Sequence, residues 1–251
     1  MTPCKFKLVI AYDGAGYAGW QAQRDGLGVQ EVVEEALKKM FPGVGRIHGA
    51  GRTDTGVHAQ GMVAHVEVPR EQFRMTLRKL PLAINAHLPD TVRVLKATRC
   101  PTKFHARFDA TGKQYRYFVW NHTVLNPLWR HQCWHVPRPV NFSAMQQAAQ
   151  CFVGTHDFKS FAGQRPYQMR STLRTVYRFD LRRSGPLLTF IFEGDGFLYK
   201  MCRNLAGTVV QIGLGKHTPE SVRDMLQAKD RRAGGMTAPA KGLVLWKVYY
   251  R

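Results

Sequence analysis

The chain has 251 residues, 44% of them hydrophobic, enough for one large core or two smaller ones and too many for an intrinsically disordered polymer. Its 37 Lys and Arg against 17 Asp and Glu give a formal charge of +20, a self-repulsion that points to a polyanionic partner. No apolar run approaches the roughly eighteen residues of a membrane span, and the charge is spread along folded sequence rather than gathered in a polybasic tail or a basic amphipathic helix, which leaves nucleic acid as the expected partner.

The N-terminal residues lack the apolar stretch of a secretory signal. Residues 6–13 alternate and carry Val9 and Ile10, which predicts a strand. Val29, Val32, Val33, Ala36, Leu37 and Met40 fall at helical spacing before Gly43, predicting a helix over 29–40. Strands are predicted over 62–68 and 92–99, with a helix over 71–80 between them. Further strands are predicted over 114–120 and 129–136, then a helix over 142–152 and a hairpin of 177–183 with 187–193 around Ser184-Gly185-Pro186. A long helix over 198–212 follows. Thr218-Pro219-Glu220 supplies a cap, a first-turn proline and an acid for another helix, and a strand over 242–250 closes the chain.

This order predicts an α/β (α+β) fold of two similar β-α-β units, ferredoxin-like or RNA-recognition-like, with mainly antiparallel sheets meeting at a basic central cleft. The expected domains are 1–105 and 106–251. Residues 1–106 hold 15 basic against 9 acidic side chains and residues 107–251 hold 22 against 8, which makes the second part the main platform for nucleic acid. Five scattered cysteines, an odd number, suit reduced thiols in a cytoplasm better than a disulfide framework.

Two motifs invite readings that their context denies. Gly14-Ala15-Gly16-Tyr17-Ala18-Gly19 matches the dinucleotide fingerprint G-x-G-x-x-G after a strand, but the next helix begins only near Val29, past Gly26 and Gly28. Without a helix N-terminus at the turn there is no pyrophosphate site, and the segment reads as a loop with tight turns. His131, Cys133 and His135 share one face of a predicted strand, yet no fourth ligand accompanies them, so core packing is the reading and no metal is expected.

The segment 49–58, Gly-Ala-Gly-Arg-Thr-Asp-Thr-Gly-Val-His, sets Arg52 and Asp54 among small residues, where Gly56 permits a sharp turn or close ligand approach. On the strand around Gly112-Lys113-Gln114-Tyr115-Arg116-Tyr117-Phe118, Tyr115 and Tyr117 share a face. On the helix after Gly196-Phe197-Leu198-Tyr199-Lys200, the residues Leu198, Met201, Cys202, Leu205, Val209 and Ile212 form an apolar stripe. Arg203 lies off it, beside Ala206, Gly207 and Val210, which predicts a partly buried guanidinium. Such a cation calls for a carboxylate, and Asp54 is the candidate partner, kept ionised and nucleophilic by the pairing.

Together these segments resemble the TruA family of tRNA pseudouridine synthases: G-R-T-D-x-G-V-H its aspartate motif, K-x-Y-R-Y its tyrosine strand and F-L-Y-x-M-x-R-N its arginine helix. Tyr12-Asp13-Gly14, Trp20-Gln21, residues 104–108, residues 154–158 and residues 237–243 extend the resemblance over nearly the whole chain. The resemblance implies isomerisation of uridine to pseudouridine at positions 38, 39 and 40 of the tRNA anticodon stem-loop, without cofactor or metal. Asp54 is then the nucleophile, at the sugar or at the pyrimidine ring. Tyr115 stacks on the base, Arg203 holds Asp54, and Arg52 fills the place of the flipped uridine. RNA contacts fall on Phe104, His105, Ala106, Arg107 and Phe108, and on Gln164, Arg165, Gln168 and Arg170. A homodimer is implied as well.

Other functions fit less well. A plain RNA-binding module needs basic and aromatic residues but has no use for an acid among them. An RNA hydrolase working through a carboxylate calls for a second acid or a metal near Asp54, and a methyltransferase for a nucleotide loop.

Overall fold

The computed structural model describes residues 3–21, 26–164 and 171–251. In chain order its elements begin with β1 (Cys4–Tyr12), α1 (Val29–Met40), β2 (His48–Gly49), β3 (His58–Val68), α2 (Leu80–Asn85) and β4 (Val92–Arg99). They continue with β5 (Ala110–Trp120), β6 (Trp134–His135), α3 (Phe142–Gln150), β7 (Gly154–Asp157) and β8 (Leu173–Ser184). The last are β9 (Leu187–Gly194), α4 (Met201–Gly213), α5 (Ser221–Ala228) and β10 (Leu243–Tyr250). Two compact units result: Met1–Thr111 with Leu245–Arg251, and Gly112–Val244. The sequence alone assigns everything after residue 105 to the second unit. A terminal strand that rejoins the first from so far along the chain leaves no local signal.

In the first unit β1 buries alternate residues, Phe6, Leu8, Ile10 and Tyr12, as a half-buried strand must. It pairs antiparallel with both β3 and β4, and β2 pairs antiparallel with β3. The sheet thus runs β4–β1–β3, and both β2 and β10 border β3. The β4–β1–β3–β2 part is the ferredoxin-like arrangement, and the fold is α+β. Helix α1 turns Val29, Val33, Ala36 and Leu37 inward, while the Glu31 carboxylate accepts the Gly28 amide at 2.8 Å and Lys38 and Lys39 occupy the last turn. The helix expected over 71–80 is displaced. Residues 71–76 form turns, Leu77–Lys79 make a single 3₁₀ turn, and α2 starts at Leu80 with Pro81 in its first turn. Proline has no amide to give a helix interior, so the helix forms where Pro81 can begin it.

In the second unit β5, β9, β8 and β7 pair antiparallel in that order, and β6 lies parallel to the end of β5. The β8–β9 hairpin closes over Gly185-Pro186, with Gly185 at φ +57°. The strand expected over 129–136 shrinks to β6. Asn126 caps a 3₁₀ turn at Pro127–Trp129 through the Leu128 amide, and only Trp134 and His135 pair. His131, Cys133 and His135 therefore do not share a strand face. Cys133 is fully buried, and its thiol, pushed up by burial, donates to the Trp129 carbonyl at 3.1 Å.

Candidate active site

The Asp54 loop joins β2 to β3 in the first unit. It turns where the Val57 amide donates to the Asp54 carbonyl at 3.1 Å, with Gly56 at φ +75°. Asp54 is half-buried, Thr53 buried and Arg52 exposed. Tyr12, just past an irregularity in the β1–β3 register, brings its hydroxyl to 2.8 Å from Thr53 Oγ1. Such irregularities re-aim side chains beside functional sites. Burial pushes the Tyr12 phenol far above its usual range, so it stays protonated.

The loop is also pressed against residues 14–20. The Trp20 amide donates to the Thr53 carbonyl and the Gly56 amide to the Tyr17 carbonyl, both at 3.3 Å. A Cβ at Gly14 would stand 2.1 Å from the Val57 carbonyl oxygen, and one at Gly19 2.3 Å from that of Thr53. Two glycines of the apparent dinucleotide fingerprint thus exist for backbone-to-backbone contact with the Asp54 loop. The 14–20 segment is tied in turn to the first turn of α1, where the Val29 and Gln30 amides donate to the Gly19 and Trp20 carbonyls.

In the second unit Tyr115 lies on β5 opposite Phe192 of β9, buried, its ring edge-on to Phe197 at 5.4 Å between centroids. Tyr117 on the same face is fully buried and donates to the Pro239 carbonyl at 2.8 Å. Burial pushes its phenol up, against the opposing pull of Arg203. The expected apolar stripe of α4 is buried throughout, and Arg203 is half-buried as its surroundings predict. Its Nε donates to the Ala238 carbonyl at 2.8 Å, and the Ala238 amide returns a bond of 3.1 Å to the Arg203 carbonyl. Lys200 sits at φ +58° where the chain turns into α4, a conformation that no local signal announces. A left-handed non-glycine residue costs roughly 1–2 kcal/mol, and such strain clusters at functional sites.

The segment 104–108 belongs to the first unit. Lys5, bridged to Glu67 at 3.0 Å, donates to the Thr102 and Phe104 carbonyls. Ala106 is fully buried, its amide bonded to His65 Nδ1 at 3.1 Å and its carbonyl to the Tyr250 hydroxyl at 2.7 Å. His105 Nδ1 accepts from the Arg107 and Phe108 amides at 3.2 and 3.4 Å. Ala106 anchors the segment, and Arg107 and Phe108 form its outer surface, Phe108 at 74% exposure. Burial first, then the neighbouring His105, Lys5 and His48, lower the His65 pKa to about 4, so its ring is neutral at physiological pH. Gln164 is exposed; Arg165, Gln168 and Arg170 lie outside the described residues.

The model of the tRNA pseudouridine synthase family matches residues 8–109 and 148–251. The chain belongs to that family. Proteins called tRNA pseudouridine synthase A resemble it along almost their whole length. That of Geobacillus kaustophilus (strain HTA426) is 43% identical over 248 residues, 98% of this chain and 94% of the relative. That of Geobacter sp. (strain M21) is 42% identical over 245 residues, 97% and 98%. That of Chlamydia trachomatis serovar A is 44% identical over 249 residues, 98% and 92%. As a tRNA pseudouridine synthase family member the chain is an isomerase, and the match takes in both the Asp54 loop and the Arg203 helix. The motifs lie on the kinds of element the sequence assigns them: a loop for the aspartate, preceded here by the unexpected short strand β2, a strand for the tyrosine and a helix for the arginine.

Proposed function

We propose that the protein isomerises uridine to pseudouridine at positions 38, 39 and 40 of the tRNA anticodon stem-loop, with Asp54 as nucleophile. The observation that carries the reading is the Asp54 loop itself: a half-buried carboxylate on a backbone clamped by Gly14, Gly19, Trp20 and Tyr12. A clamped carboxylate suits covalent catalysis, because the adduct must form and break at one place on a substrate held still.

In the reaction the N1–C1′ bond of uridine breaks and a C5–C1′ bond forms, the C5 proton leaves, and N1 takes up a proton. Asp54 attacks the sugar or the pyrimidine ring and departs as the new bond closes. Tyr115 stacks on the base, and its hydroxyl assists removal of the C5 proton. Arg203, its plane set by the bond to Ala238, is the cationic partner of the carboxylate. Arg52, exposed two residues before Asp54, occupies the space left by the uridine, which must leave its stack to react.

For tRNA binding, Arg107 offers a phosphate contact and Phe108 a stacking surface, supported by Phe104, His105 and the anchor Ala106. Gln164, Arg165, Gln168 and Arg170 extend this contact, and the enzyme acts as a homodimer in the cytoplasm, so that one tRNA meets both subunits.

The test uses unmodified tRNA carrying tritium at uridine C5, with tritium release as the readout. Wild type releases it, Asp54→Asn does not, and release disappears when the uridines at 38–40 are replaced. Equal release by wild type and Asp54→Asn, or none from wild type, would overturn the assignment.

A further inference from the structure

We infer that Asn204, Arg231 and Thr237 are positioning residues for the reaction: they hold the 231–238 segment on α4 so that Ala238 fixes the guanidinium plane of Arg203. The inference rests on the proposed role of Arg203 and goes beyond it, because none of these three residues is among those the reaction is expected to touch.

The geometry is that of a strap fastened along one helix. Asn204, wholly buried, donates through Nδ2 to the Phe161 carbonyl at 2.7 Å. Its Oδ1 accepts from Thr237 Oγ1 at 2.6 Å and from Arg231 Nη2 at 3.1 Å, which uses both lone pairs. Arg231 also donates to the carbonyls of Gly234 and Gly235 and to Thr237 Oγ1. One turn further along α4, Thr208 Oγ1 donates to the Asn204 carbonyl and accepts the Gly235 amide. The Gln211 side chain accepts the Met236 amide at 2.9 Å. Between these fastenings the Met236 carbonyl lies directly on Gly207, where a Cβ would stand only 1.9 Å away. The far end of the strap is the two-way bond between Ala238 and Arg203.

Arg231 argues that the strap serves more than stability. Among the described residues every acceptor it uses is neutral, and burial lowers its pKa with no carboxylate there to offset the loss of water. A half-buried cation so placed is a poor device for stability alone, since an apolar residue would avoid the desolvation. It is a good device for direction, because a planar fork bonded to Asn204, Gly234, Gly235 and Thr237 leaves those groups one arrangement. Arg203 inherits that direction. With Nε donating to Ala238, the plane of the guanidinium is tied to the end of the strap. A displacement of about 1 Å at a reacting group costs on the order of 100-fold in rate.

The experiment compares Thr237→Val, which keeps the shape and loses the hydroxyl, with Thr237→Ser, which keeps the hydroxyl. Arg203→Gln is measured beside them, all by tritium release from C5-labelled tRNA under multiple turnover. Thr237→Val should lower kcat about 10- to 100-fold with KM for tRNA within about twofold of wild type, because the strap is not a proposed RNA contact, and Thr237→Ser should restore kcat. Gln211→Leu, which frees the strap at its exposed edge, should move kcat in the same direction by less, and it serves if Thr237→Val does not fold. Wild-type kcat in folded Thr237→Val, or a loss that follows only the folded fraction in a melt, overturns the inference. If that happens while Arg203→Gln is inactive, the role of Arg203 stands and only the strap falls. If Arg203→Gln keeps wild-type kcat, the Arg203 reading falls and takes the strap with it.

Discussion

Gly19→Ala tests whether backbone contact, rather than side-chain packing, holds the Asp54 carboxylate, the proposed nucleophile, in place. Gly19 has φ +96°, and an added Cβ would meet the Thr53 carbonyl oxygen at 2.3 Å and the Asp54 carbonyl carbon at 3.1 Å. To reach even a tight contact of 3.4 Å the Thr53–Asp54 peptide must withdraw by about 1 Å, and a shift of that size at a reacting group costs on the order of 100-fold in rate. Gly16 is the internal control. Its φ of +85° carries a similar conformational cost, but nothing lies within 4 Å of its Cβ position. Both alanine variants should lose roughly 1–2 kcal/mol of stability from the positive φ, seen as lowered thermal midpoints. Only Gly19→Ala should lose kcat in tritium release, with KM for tRNA nearly unchanged. Equal kcat losses in the two variants would show that strain is responsible, and wild-type kcat in Gly19→Ala would show that the loop position does not matter. Either result refutes the reasoning.

Tyr12→Phe leaves the buried Thr53 hydroxyl without its 2.8 Å partner and should cost about 1–3 kcal/mol, measured by denaturant unfolding, with a fall in kcat as the loop loosens. His65 is held near pKa 4 in the folded state against an ordinary 6.5, so the unfolded chain binds the proton more readily. Its contribution is complete above pH 6.5 and is lost as pH falls towards 4, an effect of at most about 3 kcal/mol. In His65→Asn, which keeps an acceptor for the Ala106 amide, stability should fall less steeply across that window; an unchanged slope would contradict the assignment. Arg107→Gln should weaken tRNA binding and reduce the slope of log affinity against log salt by about 1, with kcat at saturation preserved. An unchanged slope removes Arg107 from the phosphate contacts.

Local signals served well where one rule decided the outcome. The helix over 29–40 and the strand over 92–99 agree with α1 and β4, because a single clear period ends at an unambiguous breaker or turn. The reading failed where a local rule was outranked. The pattern over 71–80 looks helical, but Pro81 makes residue 80 a beginning rather than an end. The alternation over 129–136 looks like a strand, but Asn126-Pro127 starts a 3₁₀ turn that reaches residue 129, and turns continue to residue 132. For the proposed site, the sequence singles out Asp54 and Arg203 because a basic chain has few reasons to set an acid among small residues or an arginine on an apolar helix face, and it singles out Tyr115 through its motif. Their supports were not legible. Gly19 meets Thr53, and Arg231 meets Asn204, across about thirty residues of chain, and no periodicity encodes such pairs.

Both units solve the same physical problem in the same way. Asp54 and Arg203 each sit on a segment whose neighbour is a length of backbone, not a layer of side chains: residues 14–20 against one and residues 231–238 against the other. Side chains reach a functional group through several rotatable bonds, and each torsion lets the group drift at the cost of weak contacts. A carbonyl resting on a glycine cannot drift without moving the peptide that carries it, and that peptide is fixed by its own hydrogen bonds. Gly14 and Gly19 serve the carboxylate in this way and Gly207 serves the guanidinium. The conformational freedom that glycine loses on folding is the cost of this stiffness. It is worth bearing where a reaction depends on tenths of an ångström, and it explains why the tightest Cβ positions in both units fall beside the proposed reacting groups.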